Sequence, residues 1–374
     1  RVLCTWGAGC AIMAPEQAHH PFGRPPAAGP RGRRHAESTG AEVVAMKLAV
    51  HIHLPRYGEE QLANLRAELG HEIELTSGPE PPSPTEYDIL ISGRPTRALV
   101  SSSPRLRALI IPWAGIPEST RGLMLEFPQI AVHNLHHNAL PVAEHMLALL
   151  LAAAKFLIPM DWSLRAHDWR PRHCPNPSIL LEGRRVLILG YGAIGRRMGL
   201  LCRALGMEVM AVRRHVDAAA SADPDPVGIF SLDALDDLLP AADILLICLP
   251  HTPETSGLIG ARELGLLPPQ AVLVNVGRGP IVEEAALYHA LQQGTLYAAG
   301  LDVWYNYPED EASRAATAPS AYPFHELDNV VMSPHRAGGS TESESLRIAH
   351  LAEVLSAAAS GEPIPNRVDL RAGY

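Results

Sequence analysis

The stretch Gly183-Arg-Arg-Val-Leu-Ile-Leu-Gly190-Tyr-Gly192-Ala-Ile-Gly195 decides the fold of this chain. It opens as a short apolar run of the kind that forms a buried strand, then breaks at Gly190 into a glycine turn. A helix follows, with Ile194, Met198, Leu201 and Leu205 expected on one face. Strand, glycine turn and helix in that order make a dinucleotide-binding fingerprint. Gly190 permits the tight turn, Gly192 lets a pyrophosphate approach the backbone, and Gly195 lets the helix pack close to the strand. The free N–H groups of the first helical turn, around Ala193 and Ile194, then face the phosphates.

The remainder of the chain supports an α/β reading. Its 374 residues suggest about two domains. An apolar fraction of 47% is enough for real cores. A net charge of −9 argues against a nucleic-acid surface. Lys47 and Lys155 are the only lysines, which reads as coding bias rather than a binding signal. Five cysteines (Cys4, Cys10, Cys174, Cys202, Cys248) without CxxC spacing suit reduced thiols and a cytoplasmic setting. The strongest apolar run, Met146 to Met160, is interrupted by Lys155 and is too short to span a bilayer, so no membrane association is expected. Residues 1–45 are rich in Pro, Gly, Arg and Ala without periodicity and are expected to be a disordered extension, with Met46 as a natural start.

From Lys47 to Val142 short strands alternate with helices: strand Lys47–His53, helix from Glu59 to Leu69, then strands near Glu72–Leu75, Tyr87–Ile91, Ala108–Ile111 and Ile130–His133. Pro79–Pro84 reads as a loop. A long helix is expected over Val142–Leu157, followed by a loop at Pro171–Pro177. Strands Arg185–Leu189, Glu208–Val212, Ile244–Leu249, Val272–Val276 and Ala298–Val303 then alternate with helices, including Leu232–Leu239 and Val282–Gln293. That alternation implies doubly wound parallel sheets. A last helix, Ser343–Ala359, is expected to return to the first unit.

From Met46 onward the chain resembles the D-isomer-specific 2-hydroxyacid dehydrogenase family, which also contains formate and phosphite dehydrogenases. The resemblance rests on motifs in order: Val142-Ala-Glu-His145, the glycine turn, Leu249-Pro-His-Thr-Pro-Glu-Thr255, Asn275-Val-Gly-Arg278-Gly279, Gly300-Leu-Asp302-Val and Ser333-Pro-His335-Arg-Ala-Gly338. It implies two Rossmann-like domains, 46–141 with 338–374 for substrate and 142–337 for cofactor, with a cleft between them. It also implies a homodimer built on the cofactor domain. The cofactor would be lined by Gly190, Gly192, Ala193, Ile194 and Gly195, by Leu249, Pro250 and Thr255, by Val276, Gly277 and Arg278, and by Asp302, His335 and Gly338. A small anionic substrate would meet Arg94, Gly115, Ile116, Asn138 and Arg278.

The chemistry of these residue types fits hydride transfer to or from a 2-hydroxy/2-keto acid. A guanidinium at Arg278 holds a carboxylate through two parallel hydrogen bonds and polarises the adjacent carbonyl. An imidazole at His335 titrates near neutrality and can take or return the hydroxyl proton. Asp302 matches a family position on the nicotinamide side, with a turn or cap aspartate as the alternative reading. The histidine groups His51/His53 and His133/His136/His137 lack a completing carboxylate or cysteine set, so no metal is expected.

The chain also departs from the family. A glutamate is usual where Tyr307 stands; tyrosine is neutral at pH 7 and can hydrogen-bond an imidazole but cannot stabilise imidazolium. Glu309 or Asp310 could approach His335 instead, and residues 309–323 form a longer loop that could cap the cleft. Tyr307 and Asn138 keep open a formate-like anion dehydrogenase, and the missing glutamate keeps open a cofactor-sensing regulatory protein on the same fold. At the end of the second cofactor-domain strand, where NAD enzymes carry an acid, stand Arg213, Arg214 and His215. They suit a 2′-phosphate and hence NADP, while Asp217 keeps NAD as the alternative.

Overall fold

The apolar strand segments assemble into two all-parallel sheets. In the computed structural model, which describes residues 47–54, 57–214 and 227–373, the first sheet contains β1 (Leu48–Ile52), β2 (Ile73–Ser77), β3 (Ile89–Ile91), β4 (Ala108–Ile111) and β5 (Ala131–Asn134). Its order is β2-β1-β3-β4-β5. The second contains β6 (Arg185–Leu189), β7 (Glu208–Val212), β8 (Gly228–Phe230), β9 (Ile244–Ile247), β10 (Val272–Asn275), β11 (Ala298–Leu301) and β12 (Val330–Met332), in the order β12-β11-β10-β9-β6-β7-β8. Central strands such as β9 and β10 are buried on both faces, which is why they read as continuous Val/Ile/Leu runs rather than alternating ones. Each sheet reverses its winding once, between β1 and β3 in the first and between β6 and β9 in the second. Such switch points open a crevice at the carboxyl ends of the strands, where ligands bind.

Helices cover both faces. Helix α4 (Ala139–Ala154) buries Val142, Met146, Leu149 and Leu150 against the second sheet and against α6 (Ala193–Ala204). It starts three residues before the expected Val142, so the boundary drawn at 141/142 falls inside its first turn. The single long helix expected to Leu157 is in fact two. Phe156 sits in the left-handed region at φ 50°, and α5 (Leu157–Arg165) leaves at a bend of 69°. The break is held by side chains: Lys155 Nζ donates to Ile179 O at 2.6 Å, and the Phe156 ring meets Tyr297 edge-on at 5.5 Å. Among the described residues no single helix is long and apolar enough to cross a membrane, although α4 and α5 pass that test as a bent pair.

The helix α10 (Ser343–Ala359) matches its expected span and returns to the first sheet, where Ile348, Leu351 and Leu355 pack with Val50, Ile89 and Leu65 of α1 (Glu59–Glu68). The helix expected at Leu232–Leu239 is instead a four-residue α7 (Leu235–Leu238) between two 3-10 turns, the second carrying Pro240. The three-residue strands β8 and β12 escaped sequence reading because they are too short to show a period. On α6 the buried residues are Gly195, Met198, Gly199 and Cys202, with Ile194 and Leu201 packed at the margin. Leu205, expected on that face, is an exposed residue at the helix end.

Candidate active site

The glycine turn has the geometry its sequence requires. Gly190 adopts φ +95°, and a Cβ there would lie 3.0 Å from the backbone of Cys248 at the end of β9. A Cβ on Gly195 would fall 2.1 Å from Gly190 O, so only glycine allows α6 to start this close to β6. Gly192, the N-cap of α6, faces open space, with no atom within 4 Å of where a Cβ would project. An open approach to the backbone at the first turn of a helix is what a pyrophosphate needs, so these residues fit a dinucleotide. Gly195→Ala should lower stability by about 3 kcal/mol, within the upper range for overpacking, because the clash is with backbone that cannot rotate away. Urea unfolding midpoints of the two proteins measure it.

The loop after β9 lies alongside. Leu249 and Pro250 are half-buried at its start. Thr255 sits beneath the loop: its hydroxyl donates to Pro250 O at 2.7 Å and accepts the Thr252 N–H at 2.8 Å. It therefore shapes the loop rather than presenting a free hydroxyl. At the end of β7 Arg214 pairs with Glu254 of the β9 loop, and Arg213 ties its N–H to Phe230 O. His215 and Asp217 lie outside the described residues.

The turn after β10 projects a cation. Asn275 accepts the Gly277 N–H at 2.9 Å and donates to Arg278 O at 3.0 Å, closing the turn around Val276 and Gly277. Arg278 is exposed, and among the described residues its Nη1 donates only to Gly277 O at 2.7 Å. Its Nη2 would stand 2.9 Å from a Cβ on Gly115, in the loop after β4 that Ile116 continues. The guanidinium thus reaches from the second sheet to the first. Asn138, just before α4, makes a similar approach, with Nδ2 3.0 Å from a Cβ on Gly338.

Asp302, at the end of β11, is 1% exposed and fully engaged. Its Oδ1 accepts the Ser333 hydroxyl at 2.5 Å and the Arg336 N–H at 2.8 Å, and its Oδ2 accepts the Ala337 N–H at 2.9 Å. With Ser333 donating to Asp302, its Oγ remains to accept from His145 Nε2 at 2.9 Å, and Trp304 Nε1 donates to Ser333 O at 2.8 Å. These bonds clamp both sides of His335, whose backbone is held in the left-handed region at φ 57°. The turn-aspartate reading thus describes Asp302 in this structure. His145 and Ser333 were visible only as motif letters and Trp304 not at all, because their shared role depends on contacts between distant segments.

His335 opens onto the cleft surface, yet enough protein surrounds the ring that burial lowers its pKa below the ordinary imidazole value. The Arg278 charge lowers it further, while Asp302 opposes both. Tyr307 lies beside it at 5.5 Å between ring centroids and a tilt of 56°. The hydrogen bond that a tyrosine can make to the imidazole is not formed: Tyr307 Oη accepts the Trp304 N–H at 3.0 Å instead. Burial raises the phenol pKa, so Tyr307 stays neutral at physiological pH. Asp310 turns to Ser313, whose N–H it accepts at 2.8 Å, and does not substitute for the missing glutamate. The far end of the 309–323 loop is tied down at α9 (Glu284–Gln293), where Glu284 accepts from Ser320 Oγ at 2.6 Å and Ala321 N at 2.8 Å.

Two parallel sheets with switch-point crevices and a glycine turn before α6 define a doubly wound, dinucleotide-binding type of protein. A family profile described as D-isomer specific 2-hydroxyacid dehydrogenase, NAD binding domain, matches residues 147–337. The chain belongs to that family. It is 33% identical over 282 residues to a D-3-phosphoglycerate dehydrogenase of Mycobacterium leprae, covering 74% of this chain and 49% of the relative. It is 37% identical over 237 residues to a glyoxylate reductase of Aeropyrum pernix, covering 61% of this chain and 65% of the relative. The chain thus spans about half the length of the phosphoglycerate dehydrogenase it matches. Among solved structures it is similar to a D-isomer specific 2-hydroxyacid dehydrogenase from Xanthobacter autotrophicus Py2 in complex with NADPH and MES. That match has TM-score 0.70 and 26% identity, covering 88% of this chain and 100% of the other.

Proposed function

We propose that the protein is an oxidoreductase that interconverts a small 2-hydroxy acid and its 2-keto acid with a nicotinamide cofactor. The observation that carries this reading is the meeting of Arg278 with Gly115 across the two sheets, beside a His335 whose pKa is depressed first by burial and then by the Arg278 charge. When bound, the cofactor supplies or accepts the hydride. Arg278 binds the substrate carboxylate and polarises the adjacent carbonyl. His335 gives its proton to the carbonyl oxygen in reduction and takes it from the hydroxyl in oxidation. Residues 46–141 with 338–374 serve as the substrate domain and 142–337 as the cofactor domain. Asn138, Gly115 and Ile116 edge the substrate, and Asp302 holds the His335 loop in place.

NADP is the preferred cofactor in this reading, with NAD as the alternative. Arg213 and Arg214 stand where an acid would bind a ribose hydroxyl, and the similar Xanthobacter protein was solved with NADPH. The protein is proposed to be a cytoplasmic homodimer. The exposed apolar side chains of Leu157, Trp162 and Leu164 on α5, with Trp169 and Leu180 after it, supply a surface for the partner. The test is a panel of glyoxylate, hydroxypyruvate and formate with each cofactor, followed at the nicotinamide absorbance. Reduction of the keto acids with NADPH, at a kcat/KM about tenfold above NADH, is the expected result. Turnover of formate alone would overturn it.

A further inference from the structure

The five-stranded sheet has its own cavity, separate from the contact between Arg278 and Gly115. At its switch point, between the carboxyl ends of β1 and β3, lies a cavity of about 590 Å³ lined by His53, Tyr57, Arg94, Trp113, Glu344 and Arg347. Its volume falls in the range of small-molecule sites and exceeds what a two-carbon acid fills. Trp113 forms one wall, its indole lying over Gly93 so closely that a Cβ there would fall 1.8 Å from it. Two residues beyond Trp113 comes Gly115, the residue that faces Arg278. The cavity therefore adjoins the proposed carboxylate site.

Its polar groups are incompletely satisfied. Arg347 Nη1 donates to Glu344 Oε2 at 2.6 Å, which neutralises one charge of each sign. Arg347 Nε, Glu344 Oε1 and Tyr57 Oη are buried and find no partner among the described residues. Burial, followed by the Glu344 charge, pushes the Tyr57 phenol up to about 12, so it stays a donor at every physiological pH. Arg94 is exposed and, among the described residues, makes no hydrogen bond or ion pair. Beyond the Glu344–Arg347 pair the named lining thus keeps one uncompensated guanidinium and two orphaned donors, against one orphaned acceptor. Leaving buried donors unpaired is unfavourable, and a suitable ligand group removes that penalty.

We propose that this cavity takes the far end of the substrate, and that this end carries a second anionic group, a carboxylate or a phosphate, held by Arg94 with the Tyr57 hydroxyl and Arg347 behind it. The inference rests on the 2-keto acid reading above and narrows it to acids with a charged far end. A guanidinium suits both anions through paired N–H bonds, and Trp113 closes the side towards the reacting carbon.

The experiment compares kcat/KM of the full chain, with its better cofactor, across two sets of 2-keto acids. Pyruvate and 2-oxobutanoate end in methyl groups. Oxaloacetate and 2-oxoglutarate end in a carboxylate, and phosphohydroxypyruvate ends in a phosphate. At least one acid-ended substrate should exceed the methyl-ended ones by about tenfold or more, and whichever arm leads identifies the anion. Arg94→Gln should cut that ratio by about tenfold, chiefly through KM, and Tyr57→Phe by about threefold. Because Arg94 is exposed and finds no partner among the described residues, its variant should fold normally, which a thermal melt checks. Equal turnover of both sets, or a ratio unchanged in Arg94→Gln, overturns this inference and leaves the dehydrogenase reading standing. Failure to turn over any 2-keto acid overturns both.

Discussion

Arg278→Ala should lower kcat/KM for the best 2-keto acid by about 10³-fold, equivalent to roughly 4 kcal/mol of transition-state stabilisation. The substrate carboxylate and the polarised carbonyl both depend on this cation in the proposed reaction, so KM should rise and kcat should fall together. The folded protein should not notice the change. The side chain is exposed, and its one hydrogen bond among the described residues runs to the carbonyl of its own neighbour, Gly277. An unfolding midpoint within about 0.5 kcal/mol of wild type is therefore expected. Arg278→Lys should recover little, since an ammonium cannot offer two parallel donors. Full activity in Arg278→Ala would show that the turn after β10 is not where substrate binds.

His335→Gln should reduce turnover by about 10²- to 10⁴-fold, the usual range for loss of a general acid or base. The pH profile is the sharper measurement. Burial and Arg278 lower the imidazole pKa, and Tyr307 contributes no charge to raise it. Reduction of a keto acid needs protonated His335, so its kcat/KM should fall as pH rises through a midpoint below the ordinary imidazole range. Oxidation of the hydroxy acid needs the neutral ring and should rise through the same midpoint. Tyr307→Glu places a carboxylate beside the ring, and the midpoint should then move up by about one pH unit or more. A profile that is identical in wild type and Tyr307→Glu would mean that His335 is not the titrating group.

Much of this architecture was legible before any coordinates. The strands Ala108–Ile111, Arg185–Leu189 and Glu208–Val212 coincide with their sequence readings, as does the helix Ser343–Ala359. These segments carry strong local signals, either apolar runs or helical periodicity, and Ala108–Ile111 and Arg185–Leu189 stop directly at Pro112 and Gly190. The glycine turn was equally readable, because Gly190 and Gly195 are required by backbone geometry within a few residues of each other. The break at Phe156 was not, since it is held by Ile179 and Tyr297, which lie outside the helix. Nor was the direction of Tyr307: a motif position says which residue stands near the histidine, not which donor its hydroxyl answers.

The sequence by itself determined the class of fold and the glycine turn before α6, and it singled out Arg278 and His335 as candidates, because each is a local pattern whose chemistry travels with its residue types. The tertiary structure decided how those residues are used. It brought the Asp302 carboxylate under the backbone of Arg336 and Ala337, turned Tyr307 to Trp304, and joined Tyr57, Arg94 and Arg347 around one cavity. Those relations exist only after chain closure, when groups far apart in sequence lose water together and must satisfy their hydrogen bonds and charges on one another.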